Sequence, residues 1–192
     1  MTKLTDKYMG LEEYETVLDA MTTTRWKLLT QFLCLSGLRI GELIALDDSD
    51  VGEKYIHVSK TYDLRTGTLS ETLKTEASNR DIYIQSELAE CIKQIRKERR
   101  FAELDNGFRS GLFFPDTDGG YLHYHSYRIY FGRLTKKVIG RKLTPHACRH
   151  TMTSIFAEQG TSLEAINRRL GHSGTEVTRD LLPRDGGAAQ EG

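Results

Sequence analysis

A chain of 192 residues, 38% of them hydrophobic, can bury one core with at most a small second lobe. No apolar run approaches the roughly 18 residues of a membrane span and the N-terminus has no signal-peptide hydrophobic segment, so membrane and secreted classes are set aside and a soluble, cytoplasmic protein is expected. Lys plus Arg and Asp plus Glu number 27 each, a zero net charge that by itself argues against a nucleic-acid binder.

The distribution of charge argues the other way. No acidic residue occurs from Gly119 to Ala157, whereas Arg128, Arg133, Lys136, Lys137, Arg141, Lys142 and Arg149 all fall there. Such a segment is an electrostatic footprint for a polyanion, masked by an acidic remainder. Cys34, Cys91 and Cys148 are odd in number, widely spaced and set among apolar neighbours, which predicts buried free thiols.

In chain order, Leu11 to Met21 has apolar residues at helical spacing. A second helix starts near Thr24, turns Leu28, Leu29, Phe32 and Leu33 inward, and ends at Gly37. Next comes Ser36-Gly37-Leu38-Arg39-Ile40-Gly41-Glu42-Leu43, where Ile40, Leu43, Ile44 and Leu46 mark a buried face. Arg39 therefore starts close to the core and needs a partner, for which Glu42 at i+3 is suited; a purely structural pair fits the same residues.

From Tyr55 the period becomes two, through Tyr55–Ser59, a turn near Gly67, and Arg80–Ile84, which predicts a small antiparallel sheet of two or three strands. Lys74 falls at a hairpin tip before the last strand. A long helix from Ser86 to about Phe101 faces Leu88, Cys91, Ile92 and Ile95 inward and Lys93, Lys97 and Glu98 outward. Another opens near Ser126 and buries Ile129, Tyr130, Leu134 and Val138. A helix from Pro145 ends at Gly160, and the last, capped by Thr161 or Ser162, closes on Gly171-His172.

Thr144-Pro145-His146-Ala147-Cys148-Arg149-His150 is a helix start, with Thr144 suited to cap it and Pro145 to its first turn. His146 and Arg149 are one turn apart, so imidazole and guanidinium can converge on one phosphate. A metal site among His123, His125, His146, Cys148 and His150 is disfavoured: Cys148 points away from the face shared by His146 and His150, and no ligand pair completes a tetrahedron. No metal and no cofactor are expected.

Gly37-Leu38-Arg39-Ile40-Gly41-Glu42-Leu43, Lys74-Thr75, His146-Ala147-Cys148-Arg149-His150 and Leu170-Gly171-His172-Ser173 occur in the order and contexts of one family. From about residue 4 to 180 the chain resembles the catalytic domain of the tyrosine recombinases, the phage and conjugative-transposon integrases. The resemblance implies an α+β domain, mainly α-helical, with a small antiparallel β-hairpin. It also implies metal-free strand exchange on double-stranded DNA, in which a tyrosine attacks the scissile phosphate and leaves a 3′-phosphotyrosyl bond. Without a metal, preorganised guanidinium groups must offset the charge that builds on the phosphoryl oxygens, a role assigned to Arg39 and Arg149. Lys74 is then the general acid, His146 assists proton transfer at the tyrosine, His172 donates to a phosphate oxygen, and Glu42 orients Arg39. The DNA-facing residues are Arg128, Arg133, Lys136, Lys137, Arg141 and Lys142, and full-length protomers would form a synaptic tetramer.

The chain departs from that pattern at its end. The family's nucleophile follows the last histidine in a T-x-x-x-Y-x-H arrangement, whereas here Thr178-Arg179-Asp180-Leu181-Leu182-Pro183-Arg184 stands in its place and no Tyr follows Tyr130. Residues 1–180 are therefore read as the catalytic domain and 181–192 as an atypical tail, by frameshift or truncation; dropping one base from a suitable codon choice restores Tyr-Phe-His, with the tyrosine at Leu182, ten residues after His172. The family's core-binding and arm-binding domains are also missing, and a monomer is expected without DNA. Two functions follow: an integrase catalytic domain lacking its nucleophile, or a non-catalytic DNA-binding or regulatory protein that keeps the phosphate pocket.

Overall fold

The computed structural model describes residues 8–70 and 79–171. Leu11–Asp19 (α1) follows an extended Gly10 whose N–H donates to Glu13 Oε2 at 3.1 Å. Thr24–Ser36 (α2) is apolar over most of its circumference, burying Leu28, Leu29, Phe32, Leu33 and Cys34. Such a helix has to be enclosed, and Ser86–Asn106 (α4) and His146–Glu158 (α6) both pack against it. Its buried hydroxyls are paired within the core: Thr30 Oγ1 lies 2.8 Å from Tyr127 Oη, and Ser36 Oγ donates to Phe32 O at 2.6 Å.

Ile40–Ile44 (α3) and a short 3₁₀ turn at Asp48–Asp50 lead into the strands. Tyr55–Val58 (β1) pairs antiparallel with Arg80–Tyr83 (β4), Val58 opposite Arg80. Thr61–Asp63 (β2) pairs with Thr68–Ser70 (β3). Tyr124–Ile139 (α5) packs on α1, while Leu163–Leu170 (α7) packs on β4 and α6. Ser162 caps α7 through Oγ, which accepts from Ala165 N. The main core joins α1, α2, α4 and α5 around Phe32, Phe113, Tyr127 and Phe131; Met152, Ile166 and Leu170 form a separate small cluster under α7. Cys34, Cys91 and Cys148 are buried and unbridged. No described helix is long and apolar enough to cross a membrane.

Four expectations change. Among the described residues the strands divide into two two-stranded ladders rather than one sheet. The helix expected to stop at Phe101 continues to Asn106, because Ala102-Glu103-Leu104-Asp105-Asn106 contains no breaker and Gly107 supplies the left-handed stop. In α5 the buried face centres on Tyr127, Phe131 and Thr135, with Tyr130, Leu134 and Val138 at its edge and Ile129 exposed. The aromatic stack of Trp26, Tyr127 and Phe131, with ring centres 5.4 and 5.8 Å apart, sets that rotation. Thr144 serves α6 through its carbonyl, which accepts from Ala147 N at 2.8 Å, and Pro145 occupies the cap position.

Candidate phosphate site

Arg39 stands at the turn between α2 and α3, which is pressed between two neighbours. Gly37 has φ +71°, and a Cβ there would fall 2.3 Å from Met152 Cε; at Gly41 it would fall 2.6 Å from the Tyr62 carbonyl oxygen. Only glycine fits both positions without displacement. The turn makes Arg39 the N-cap of α3, and its backbone N–H donates to Glu42 Oε2 at 2.8 Å while Nη1 donates to Oε1 at 2.9 Å. Arg39 is not in the core: its side chain is 40% accessible, with Glu42 fixing one side and solvent meeting the other.

Glu42 is itself only 2% exposed. Arg80 meets it end-on, Nη1 to Oε1 and Nη2 to Oε2, each at 3.0 Å. Burial alone would raise the Glu42 carboxyl, but Arg80 and then Arg39 outweigh it and hold the group below the usual carboxylate range. Arg80 also donates Nε to the Arg169 carbonyl at 2.7 Å, which ties α7 to the same junction.

Arg149 enters from the first turn of α6 and is 3% exposed. Its Nη1 donates to Gly37 O at 2.5 Å and its Nη2 to Leu170 O. These are carbonyls at the C-terminal ends of α2 and α7, where the helix dipoles concentrate partial negative charge. Burial, then the nearby charge of Arg39, weakens the hold of Arg149 on its proton. His146, one turn earlier, lies at the surface with its ring edge-to-face with His150, centres 4.6 Å apart. Partial desolvation first, then Arg149 and Arg39, lowers its pKa from the ordinary imidazole range, which favours the neutral ring.

The structure thus brings Arg39, Glu42, His146 and Arg149 into one cationic cluster. Lys74 and His172 lie outside the described residues, as does the tail from Leu181. Of the basic segment, Arg128, Arg133, Lys137 and Lys142 are exposed. Lys136, also exposed, donates Nζ to Gly140 O at 2.7 Å at the end of α5. Arg141 differs from the others, because its fork grips the Glu13 carboxylate and also donates to Tyr8 O.

Sequence reasoning missed Arg80 and Arg169. Arg80 had a signal, since it shares the period-two face of Ile82 and a charge there requires a buried acid. Arg169 had none. It donates to Leu35 O, Gln85 Oε1 and Tyr83 O, and stacks over Phe156, contacts that only the tertiary structure creates.

Comparison with known proteins gives one answer. The model of the phage integrase family matches residues 7–180. A probable integrase of prophage ps2 from Lactococcus lactis is 27% identical over 186 residues, covering 90% of this chain and 49% of the relative. The Tn1549 transposon integrase in complex with transposon right end DNA superposes with a TM-score of 0.77 at 24% identity, covering 94% of this chain and 62% of that one. A lambda integrase tetramer bound to a Holliday junction gives 0.66 at 16%, covering 100% and 52%. The chain spans about half the length of the curated relatives it matches. The chain belongs to the phage integrase family, as a tyrosine-recombinase catalytic domain.

Proposed function

We propose that this domain binds the scissile phosphodiester of double-stranded DNA in the cluster of Arg39, His146 and Arg149, within a bacterial recombinase whose full-length protomers assemble as a tetramer on DNA. One observation carries the reading: Arg149 Nη1 donates to the carbonyl of Gly37, two residues before Arg39, and His146 stands one turn before Arg149 on α6, so the three groups share one spot. Phosphoryl transfer without a metal needs fixed positive charge at that spot before the transition state forms. Arg39, oriented by Glu42, and Arg149 supply it. Arg80 is a positioning residue, acting on Arg39 through Glu42. A neutral His146 can accept the proton of an attacking phenol. Lys74, as donor to the leaving 5′-oxygen, and His172, as donor to a phosphoryl oxygen, join the site by family resemblance. Arg128, Arg133, Lys136, Lys137 and Lys142 extend the contact along the backbone phosphates.

The sequence carries no tyrosine beyond Tyr130, and this favours a second reading: the chain as it stands binds DNA, in a regulatory or vestigial role, without cleaving it. Two measurements test these readings. Duplex binding followed by fluorescence anisotropy should weaken steeply with salt, and Arg39→Ala should weaken sulfate and duplex binding together; an unchanged affinity for both would end the phosphate-site reading. A nicked suicide duplex should give no covalent adduct with this chain. A version read one base on from Leu181, with tyrosine at position 182, should give one; an adduct from the unaltered chain would overturn the second reading.

A further inference from the structure

The distal half of α4 carries a surface that the phosphate site does not use. Lys93, Lys97, Arg100 and Leu104 are spaced i, i+4, i+7 and i+11, so they form one stripe, opposite the core face of Leu88, Cys91, Ile92 and Ile95. Leu104 is 72% exposed, more than any other large apolar side chain among the described residues, and Phe101 beside it is 54% exposed. With Phe108 and Arg109 from the following loop, the stripe borders an open groove of about 920 Å³.

The charge of this groove is one-sided. Arg96 and Arg99 are both committed to Asp48, with Arg96 Nε at 2.9 Å and Arg99 Nη1 at 3.0 Å from the same carboxylate oxygen, and Glu103 answers Arg99 at 3.7 Å. Lys93 has only an exposed neighbour, Glu90, at 3.6 Å. The two acids that line the groove, Asp48 and Glu103, are thus taken up by Arg96 and Arg99, and among the described residues Lys97, Arg100 and Arg109, all exposed, form no ion pair beside the two exposed apolar side chains.

We propose that this groove docks an acidic protein segment bearing apolar anchors, contributed by a partner protein. Charge complementarity selects an acidic occupant, and the Phe101–Leu104 pair selects among acidic occupants. A phosphate backbone answers the cations and leaves the apolar pair in water; carboxylates interspersed with aliphatic side chains answer both. The groove shares no residue with the Arg39–Arg149 cluster, so docking there regulates or recruits without occupying the phosphate site.

The test uses the intact chain and a short fluorescein-labelled peptide of glutamates carrying two leucines, with all-glutamate peptide and a short DNA duplex as controls. The Glu/Leu peptide is expected to bind more tightly than the all-glutamate one. Lys97→Glu with Arg100→Glu should weaken it about tenfold or more, and Leu104→Ser should reduce it to the all-glutamate level while leaving duplex binding unchanged. These surface changes leave the core intact, and a melting curve checks it. Equal binding of the two peptides overturns the proposal. So does loss of duplex binding in the charge-reversed protein with the peptide unaffected, which makes the groove a nucleic-acid surface. Self-association of the parent chain that Leu104→Ser abolishes in light scattering also overturns it, since the occupant is then a second copy.

Discussion

Arg39 and Arg149 carry the same charge and are held in opposite ways. At the α3–β4 junction the holder is a carboxylate: Glu42 takes Arg39 on one side and Arg80 on the other, so one negative charge is divided between two positive ones. At the start of α6 the holders are neutral carbonyls at two helix ends, which orient Arg149 without cancelling its charge. The first arrangement is a strong structural joint with a partly exposed arm. The second is a buried charge oriented by dipoles, with the Glu42 carboxylate near enough to favour it and the Arg39 guanidinium near enough to oppose it.

The comparison can be broken most forcefully at Glu42. Glu42→Gln leaves two guanidinium groups facing an uncharged amide, and we expect a loss of about 3–5 kcal/mol, read as a fall in the urea midpoint. Because the folded carboxyl is held below its ordinary value of 4.5, its stabilising contribution is complete above that pH and is lost as pH falls below it. The variant should therefore lose part of the parent's acid sensitivity below about pH 4.5. A variant as stable as the parent would mean that the junction is not a joint.

A smaller loss is expected at the other holder. Arg149→Lys keeps a charge but cannot span Gly37 O and Leu170 O with a planar fork, at a cost of about 1.5–3 kcal/mol. Sulfate affinity should fall about tenfold in the same protein, even where it is fully folded. Unchanged affinity would show that the buried charge does not reach the anion.

The smallest effects sharpen the same contrast within the basic segment. Arg141→Ala, which removes the clasp on Glu13, should lower stability by about 1 kcal/mol and leave the salt dependence of duplex binding alone. Arg128→Ala should leave stability within about 0.5 kcal/mol and reduce the salt slope by about 1. If the two outcomes exchange, the division of these arginines between scaffold and surface is wrong.

These cases also show what could be read from the sequence. The helices of the core, the αL stop at Gly37 and the Arg39–Glu42 pair were legible because each rests on contacts within a few residues. The α5 face was misjudged because its rotation is decided by Trp26, far back in the chain on α2, and not by its own apolar spacing. Arg80 was half legible, since its alternation with Ile82 gave the burial and nothing local gave the partner. Arg141 looked like its basic neighbours and is separated from them only by Glu13, across the fold. The backbone carbonyls around Arg149 leave no trace in the sequence at all, since any residue presents one.

The small cluster under α7 has a consequence of a different kind. Met152, Ile166 and Leu170 are set apart from the main core, and the helix is otherwise fastened by arginines: Arg149 on Leu170 O, Arg80 on Arg169 O, and Arg169 on Leu35 O, Tyr83 O and Gln85 Oε1. With so small an apolar contact beneath it, α7 is expected to open before the rest of the domain unfolds, and its amide protons to exchange through that opening. A polyanion that binds only the closed form slows the exchange by mass action. The amides of Ile166 to Leu170 then become reporters of DNA occupancy, answering whether the site is filled without any chemistry taking place.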